Sequence, residues 1–130
     1  MKILSIHDNS ITTRLSRDNL NMLCSATGGS AFGYTTQRDI PVLTNWTAEE
    51  AIVFEEKILR IRDGIYQKGE KTAELELSFK ELNYIAKIHA DNMEELGFIE
   101  YPMIAGYDWE EAEEFLGELQ KVAALTSPTP

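Results

Sequence analysis

The chain of 130 residues is 43% hydrophobic and 26% charged, and its 12 basic and 22 acidic side chains leave a net charge of −10. A chain above about 100 residues with this apolar content can bury a core without disulfides or metals, which excludes wholesale disorder. The negative excess disfavours DNA, RNA and anionic membrane as direct partners, because the long-range field repels them unless a basic patch intervenes.

In chain order, residues 2–6 and 11–15 flank an Asp8-Asn9-Ser10 turn and are expected to pair as a hairpin, since Asp and Asn supply local hydrogen bonds and tolerate left-handed geometry. Ser16 opens a helical pattern containing Leu20, Asn21 and Leu23, with Cys24 on its inward face. Residues 27–34 form a glycine-containing loop, and 39–43 are an extended candidate that Pro41 restricts to a sheet edge. Thr47 and Glu50 have capping-box spacing. They start a long helix striped by Ala51, Phe54, Ile58, Ile61 and Ile65, widened by Ile52, Leu59 and Tyr66, and ended by Lys68-Gly69. Residues 72–77 alternate Leu75 and Leu77 with glutamates, as a strand solvated on one face does. Ser78 caps a second long helix with the inner face Phe79, Leu82, Ile85, Ala86, His89, Met93 and Leu96, closed by Gly97. Residues 98–104 read as an edge strand interrupted by Pro102. Asp108, with Glu111 at capping-box spacing, starts a last helix striped by Trp109, Ala112, Leu116, Leu119 and Val122, and 126–130 are expected to be disordered.

The pattern contains an apparent tandem repeat. Leu15-Ser16 with Leu20, Asn21 and Leu23 recurs 62 residues on as Leu77-Ser78 with Leu82, Asn83 and Ile85; Thr47-Ala48-Glu49-Glu50-Ala51 recurs as Asp108-Trp109-Glu110-Glu111-Ala112. The expected fold is therefore α+β: two strand-helix-extended-helix units, residues 1–69 and 70–125, sharing one core. A small, mostly antiparallel sheet would carry about four helices on one side.

No complete catalytic or metal-binding motif occurs. The stretch Thr27-Gly28-Gly29-Ser30-Ala31-Phe32-Gly33-Tyr34 follows a helix instead of linking a strand to a helix start, and no Gly-Lys-Ser/Thr is present. It reads as a helix C-cap and loop, with Phe32 and Tyr34 as candidate aromatic contacts for a partner. His89 reads as a core or interface histidine, and His7-Asp8 as a turn that could orient an imidazole. No Asp-rich calcium loop exists, the single cysteine allows no intramolecular disulfide, and no cofactor or metal is expected. The N-terminal stretch turns polar too early for a signal peptide and no apolar run could span a bilayer, so a cytoplasmic protein is the expectation.

Charge is distributed unevenly. Residues 1–46 sum to +1, 47–69 to −1 and 70–130 to −10, so the whole deficit belongs to the second unit. Glu94, Glu95, Glu100, Glu110, Glu113, Glu114 and Glu118 are candidates for an acidic face that attracts a basic protein partner, with Tyr101, Tyr107 or Trp109 as aromatic anchors where they are not buried. In size, charge and lack of a catalytic motif the chain is similar to bacterial toxin-immunity proteins and phage-encoded anti-defence inhibitors. That resemblance implies a non-enzymatic protein that covers or mimics the nucleic-acid path of a basic nuclease. A homodimeric regulatory or assembly subunit is the second reading, and a small-ligand sensor or enzyme using His7, Asp8 and the 27–34 loop is the third.

Overall fold

The computed structural model describes residues 1–27, 44 and 46–126. Strand β1 (Lys2–Ile6) turns back into β2 (Ser10–Ser16), which leads directly into helix α1 (Arg17–Thr27). Helix α2 (Ala48–Lys68) follows, then strand β3 (Thr72–Ser78), helix α3 (Phe79–Ala105) and helix α4 (Trp109–Thr126). The class is α+β, as expected. The extended candidate at 39–43 lies outside the described residues, and so do Phe32, Tyr34 and 127–130 of the tail.

The three strands form an antiparallel sheet in the order β1-β2-β3. Period-two alternation fixes its register: Ile11, Thr13 and Leu15 on β2 and Ala73, Leu75 and Leu77 on β3 turn inward and are buried, while Glu74 and Glu76 face solvent. Arg14 pairs with Glu74 across the outer face at 2.8 Å. Both side chains are exposed, so that pair adds at most about 1 kcal/mol, whereas each fully buried leucine or isoleucine beneath contributes about 1.5–3 kcal/mol. Burial, and not the ion pairs, holds the sheet to the helices. Strand β1 is an edge strand whose pairing slips between Ile3 and Ser5, a bulge of the kind that discourages further strand addition.

Reciprocal capping starts two of the helices. Thr47 Oγ1 accepts from the Glu50 amide at 3.2 Å while the Glu50 carboxylate accepts from the Thr47 amide at 3.3 Å; Ser78 and Glu81 repeat the exchange at 3.0 and 2.8 Å. Gly69 ends α2 in the left-handed conformation, φ 69°. The α2 stripe of Ala51, Phe54, Ile58 and Ile65 is buried, but Ile52 and Tyr66, expected to widen it, are about half exposed. Tyr66 instead clasps α1: its ring lies 4.5 Å from the Arg17 guanidinium, and its hydroxyl accepts from Asn21 at 2.9 Å.

The main core joins both halves of the chain, from Ile11 and Leu15 through Leu20, Phe54, Ile58, Leu77 and Leu82 to Phe115 and Leu119. Among the described residues, strand, serine and helix follow one another twice, at β2-Ser16-α1 and at β3-Ser78-α3, but this order does not establish the tandem units expected from sequence. The halves are unequal in other respects: β1 has no counterpart, and α1 spans 11 residues where α3 spans 27.

The expected strand at 98–104 is instead helical. At Gly97 the backbone takes φ 75° and ψ 176°, and the chain then resumes a helical course through Ala105, with Gly106 as the cap. Pro102 removes one helical donor, but the Gly106 amide still reaches the Pro102 carbonyl at 3.1 Å. The break changes which side chains face inward. Continued straight at 3.6 residues per turn, α3 would put Glu100 on the stripe of Leu82, His89, Met93 and Leu96. Beyond Gly97 it is Tyr101 that turns inward, 3% exposed, and Glu100 that faces solvent.

Candidate functional site

A second, smaller core forms where the end of α3 meets α4. Met93, Tyr101 and Ala112 are buried there, with Leu96, Trp109 and Leu116 packed around them. His89 fastens this junction to the main core. Its Nε2 lies 3.1 Å from the Ala112 carbonyl, an atom that can only accept, so Nε2 carries the proton. The imidazole also meets Phe115 and Tyr101 edge-on at 5.4 and 6.2 Å. Burial holds its pKa below the ordinary 6.5, opposed by the bond to Ala112, so His89 is a neutral structural clasp and not a solvent-accessible base.

This junction supports the acidic face. Between Lys87 and Lys121 the chain has no lysine or arginine and ten carboxylates: Asp91, Glu94, Glu95, Glu100, Asp108, Glu110, Glu111, Glu113, Glu114 and Glu118. All but Asp91 and Glu118 are exposed. On α4 the buried Ala112, Phe115, Leu119 and Val122 define the inward stripe, which sends Glu110, Glu113 and Glu114 to the opposite side. Glu94, Glu95 and Glu100 flank the Gly97 break.

Glu118 stands apart from the other candidates. It lies at the edge of α4 beside α1, and the Met1 ammonium donates to it at 2.7 Å and to Asn19 Oδ1 at 3.2 Å. A cavity of about 320 Å³ opens here, bordered by Asp18, Glu111 and Glu114 as well as Glu118. Desolvation, then the neighbouring Asp108 carboxyl, raises the Glu111 pKa above its ordinary value. Asp18 and the amino terminus belong to the near-neutral first half of the chain, and only the tertiary fold brings them to the acidic one.

Of the aromatic anchors expected from sequence, burial removes Tyr101 and leaves Tyr107 and Trp109 partly accessible. Tyr101 is buried between His89 and Trp109, so it supports the surface from beneath and presents nothing to a partner. Tyr107 is half-buried against the main core, where burial and then Asp18 raise its pKa while a side-chain bond with Asn21 lowers it. Trp109 is half-buried in the smaller core. Exposed apolar side chains occur instead at Phe98, Ile99 and Met103, which sequence reasoning passed over. Read as a strand, this stretch alternates; read as a helix, Phe98, Ile99, Pro102 and Met103 fall at i, i+1, i+4 and i+5 and form one face.

His7 and Asp8 lie exposed at the end of the hairpin. The His7 ring is within 3.2 Å of the Ser5 hydroxyl and 3.4 Å of that of Thr12, so its partners are strand hydroxyls and not the Asp8 carboxylate. A separate cavity of about 420 Å³ has the opposite charge character, with Lys80 and Lys87 beside Trp46 and Tyr84, whose rings stack at 4.2 Å. Among the described residues no group of three or more His, Cys, Asp and Glu is arranged to hold a metal ion. None of the described helices is long and apolar enough to cross a membrane. No protein-family model, curated protein or solved structure matches the chain.

Proposed function

We propose that this is a non-enzymatic acidic binding protein that inhibits or regulates a basic macromolecule, such as a nuclease or toxin, in the manner of an immunity or anti-defence inhibitor. The observation that carries this reading is the solvent-facing carboxylate surface of α4 and the end of α3, unbroken by any lysine or arginine from residue 88 to residue 120. A focused field of one sign raises the encounter rate with an oppositely charged partner by roughly 10–1,000-fold at low ionic strength. Exposed carboxylates can also occupy the positions that phosphates take on a basic protein. The His89 clasp and the buried Tyr101 tie the backbone of this region to the main core, so the carboxylates are displayed from a packed junction.

Titration with fluorescein-labelled oligolysine tests the reading. The protein should bind it at low ionic strength, and Glu110→Gln, Glu113→Gln and Glu114→Gln combined should weaken binding roughly tenfold. Lys80→Gln with Lys87→Gln, on the other cavity, should leave binding undiminished. Equal affinity for the wild type and the triple glutamine variant would overturn the acidic face as the docking surface.

A further inference from the structure

Phe98, Ile99 and Met103 are 69%, 74% and 79% exposed, on one face of the short helical segment that follows Gly97. Left in water, these three side chains forgo the burial that stabilises the rest of the fold, and large apolar side chains grouped on one exposed face mark interaction sites. Their display depends on the backbone at Gly97, which turns Tyr101 inward and leaves these three outside. Phe98 is steadied from one side by the edge of Trp109, with ring centroids 5.8 Å apart. The patch is therefore held in place at the start of α4.

Its surroundings select the occupant. Among the described residues, the charged positions that flank it along the chain are all carboxylates: Glu94 and Glu95 before the break, Glu100 within the segment, and Asp108 and Glu110 on either side of Trp109. A second copy of this chain laid face to face would bring two such rims together, and like charges across an interface are repulsive. An anionic bilayer is disfavoured for the same reason. Building on the acidic face proposed above, we propose that Phe98, Ile99 and Met103 are the apolar anchor of that face, and that the partner element is an amphipathic helix with an apolar stripe bordered by lysines or arginines. Apolar contact supplies the persistence of the complex, and the carboxylate rim supplies its rate of formation and its discrimination.

Three labelled synthetic peptides of equal length separate the contributions: a leucine/lysine amphipathic helix, oligolysine, and a leucine/glutamate helix with the same apolar stripe. The wild type should bind the leucine/lysine helix at least about tenfold more tightly than oligolysine, and the leucine/glutamate helix least. Phe98→Ser, Ile99→Ser and Met103→Ser combined should abolish that preference while keeping oligolysine binding. Its melting temperature should fall by only a few degrees, because the three side chains are largely exposed and only Phe98 loses a ring contact. Oligolysine binding as strong as that of the leucine/lysine helix, unaffected by the serine variant, would overturn the anchor and leave the acidic face intact. Failure of both lysine peptides would overturn both proposals. A wild-type dimer in sedimentation that the serine variant abolishes, or equal binding of the two leucine-bearing helices, would assign the patch to a second copy or to unselective apolar contact and would also overturn the basic partner.

Discussion

His89 occupies a position where a polar side chain is acceptable only because its bond is satisfied: it is 1% exposed and spans from α3 to the Ala112 carbonyl of α4. Its folded pKa is depressed, so in the interval between that value and about 6.5 the unfolded chain binds more protons, and stability falls as the pH drops through this window. Replacing it with Gln removes the titration. The difference in denaturation free energy between wild type and His89→Gln should therefore shrink from about pH 7 to about pH 5. Both proteins share the same carboxylates, so their titration largely cancels in that difference; an unchanged difference would contradict a buried, neutral imidazole. Cys24 makes a parallel case. Desolvation pushes its thiol up to about 11, so alkylation at neutral pH should be slow in the folded protein and rapid in denaturant, by mass spectrometry. The buried placement of His89 and Cys24 was legible in the sequence, because each falls on an apolar stripe at helical spacing. Tyr101 was not, because its direction depends on the break four residues earlier.

At the scale of elements, the start of α2 could be read from the Thr47-Glu50 capping box and that of α3 from the Ser78 cap, because capping is local chemistry. The hairpin and β3 could be read because alternation with one solvated face is equally local. The segment after Gly97 could not. Pro102 removes a donor from a strand and from a helix alike, and packing of Tyr101 against His89 and Trp109 accompanies the helical outcome. Gly97 itself occupies a backbone region that is essentially restricted to glycine, although a methyl group there would meet no atom within 4 Å. Gly97→Ala should thus destabilise the protein by about 1–3 kcal/mol through backbone strain alone, seen as a lower urea midpoint. The same change at Gly64, inside α2 and equally open, should be neutral or stabilising, since alanine is the better helix former. Equal effects at the two sites would contradict the strained break.

Across the whole molecule, the net charge of −10 resolves into a neutral part and one acidic stretch of chain. The sequence makes the asymmetry visible as a run without cations from Lys87 to Lys121. It leaves hidden that Asp18 and the Met1 ammonium meet Glu114 and Glu118 from the other end of the chain, and that Phe98, Ile99 and Met103, in the middle of that run, are exposed. Those facts come from how α4 lies along α1 and α3, which no local pattern encodes. Electrostatic steering by the carboxylates is measured by stopped-flow association with a labelled leucine/lysine helix between about 50 and about 500 mM salt. The association rate constant should fall at least about tenfold across this range for the wild type and much less for the Glu110→Gln, Glu113→Gln, Glu114→Gln variant. A rate constant independent of salt, or the same salt dependence in both proteins, would contradict such steering.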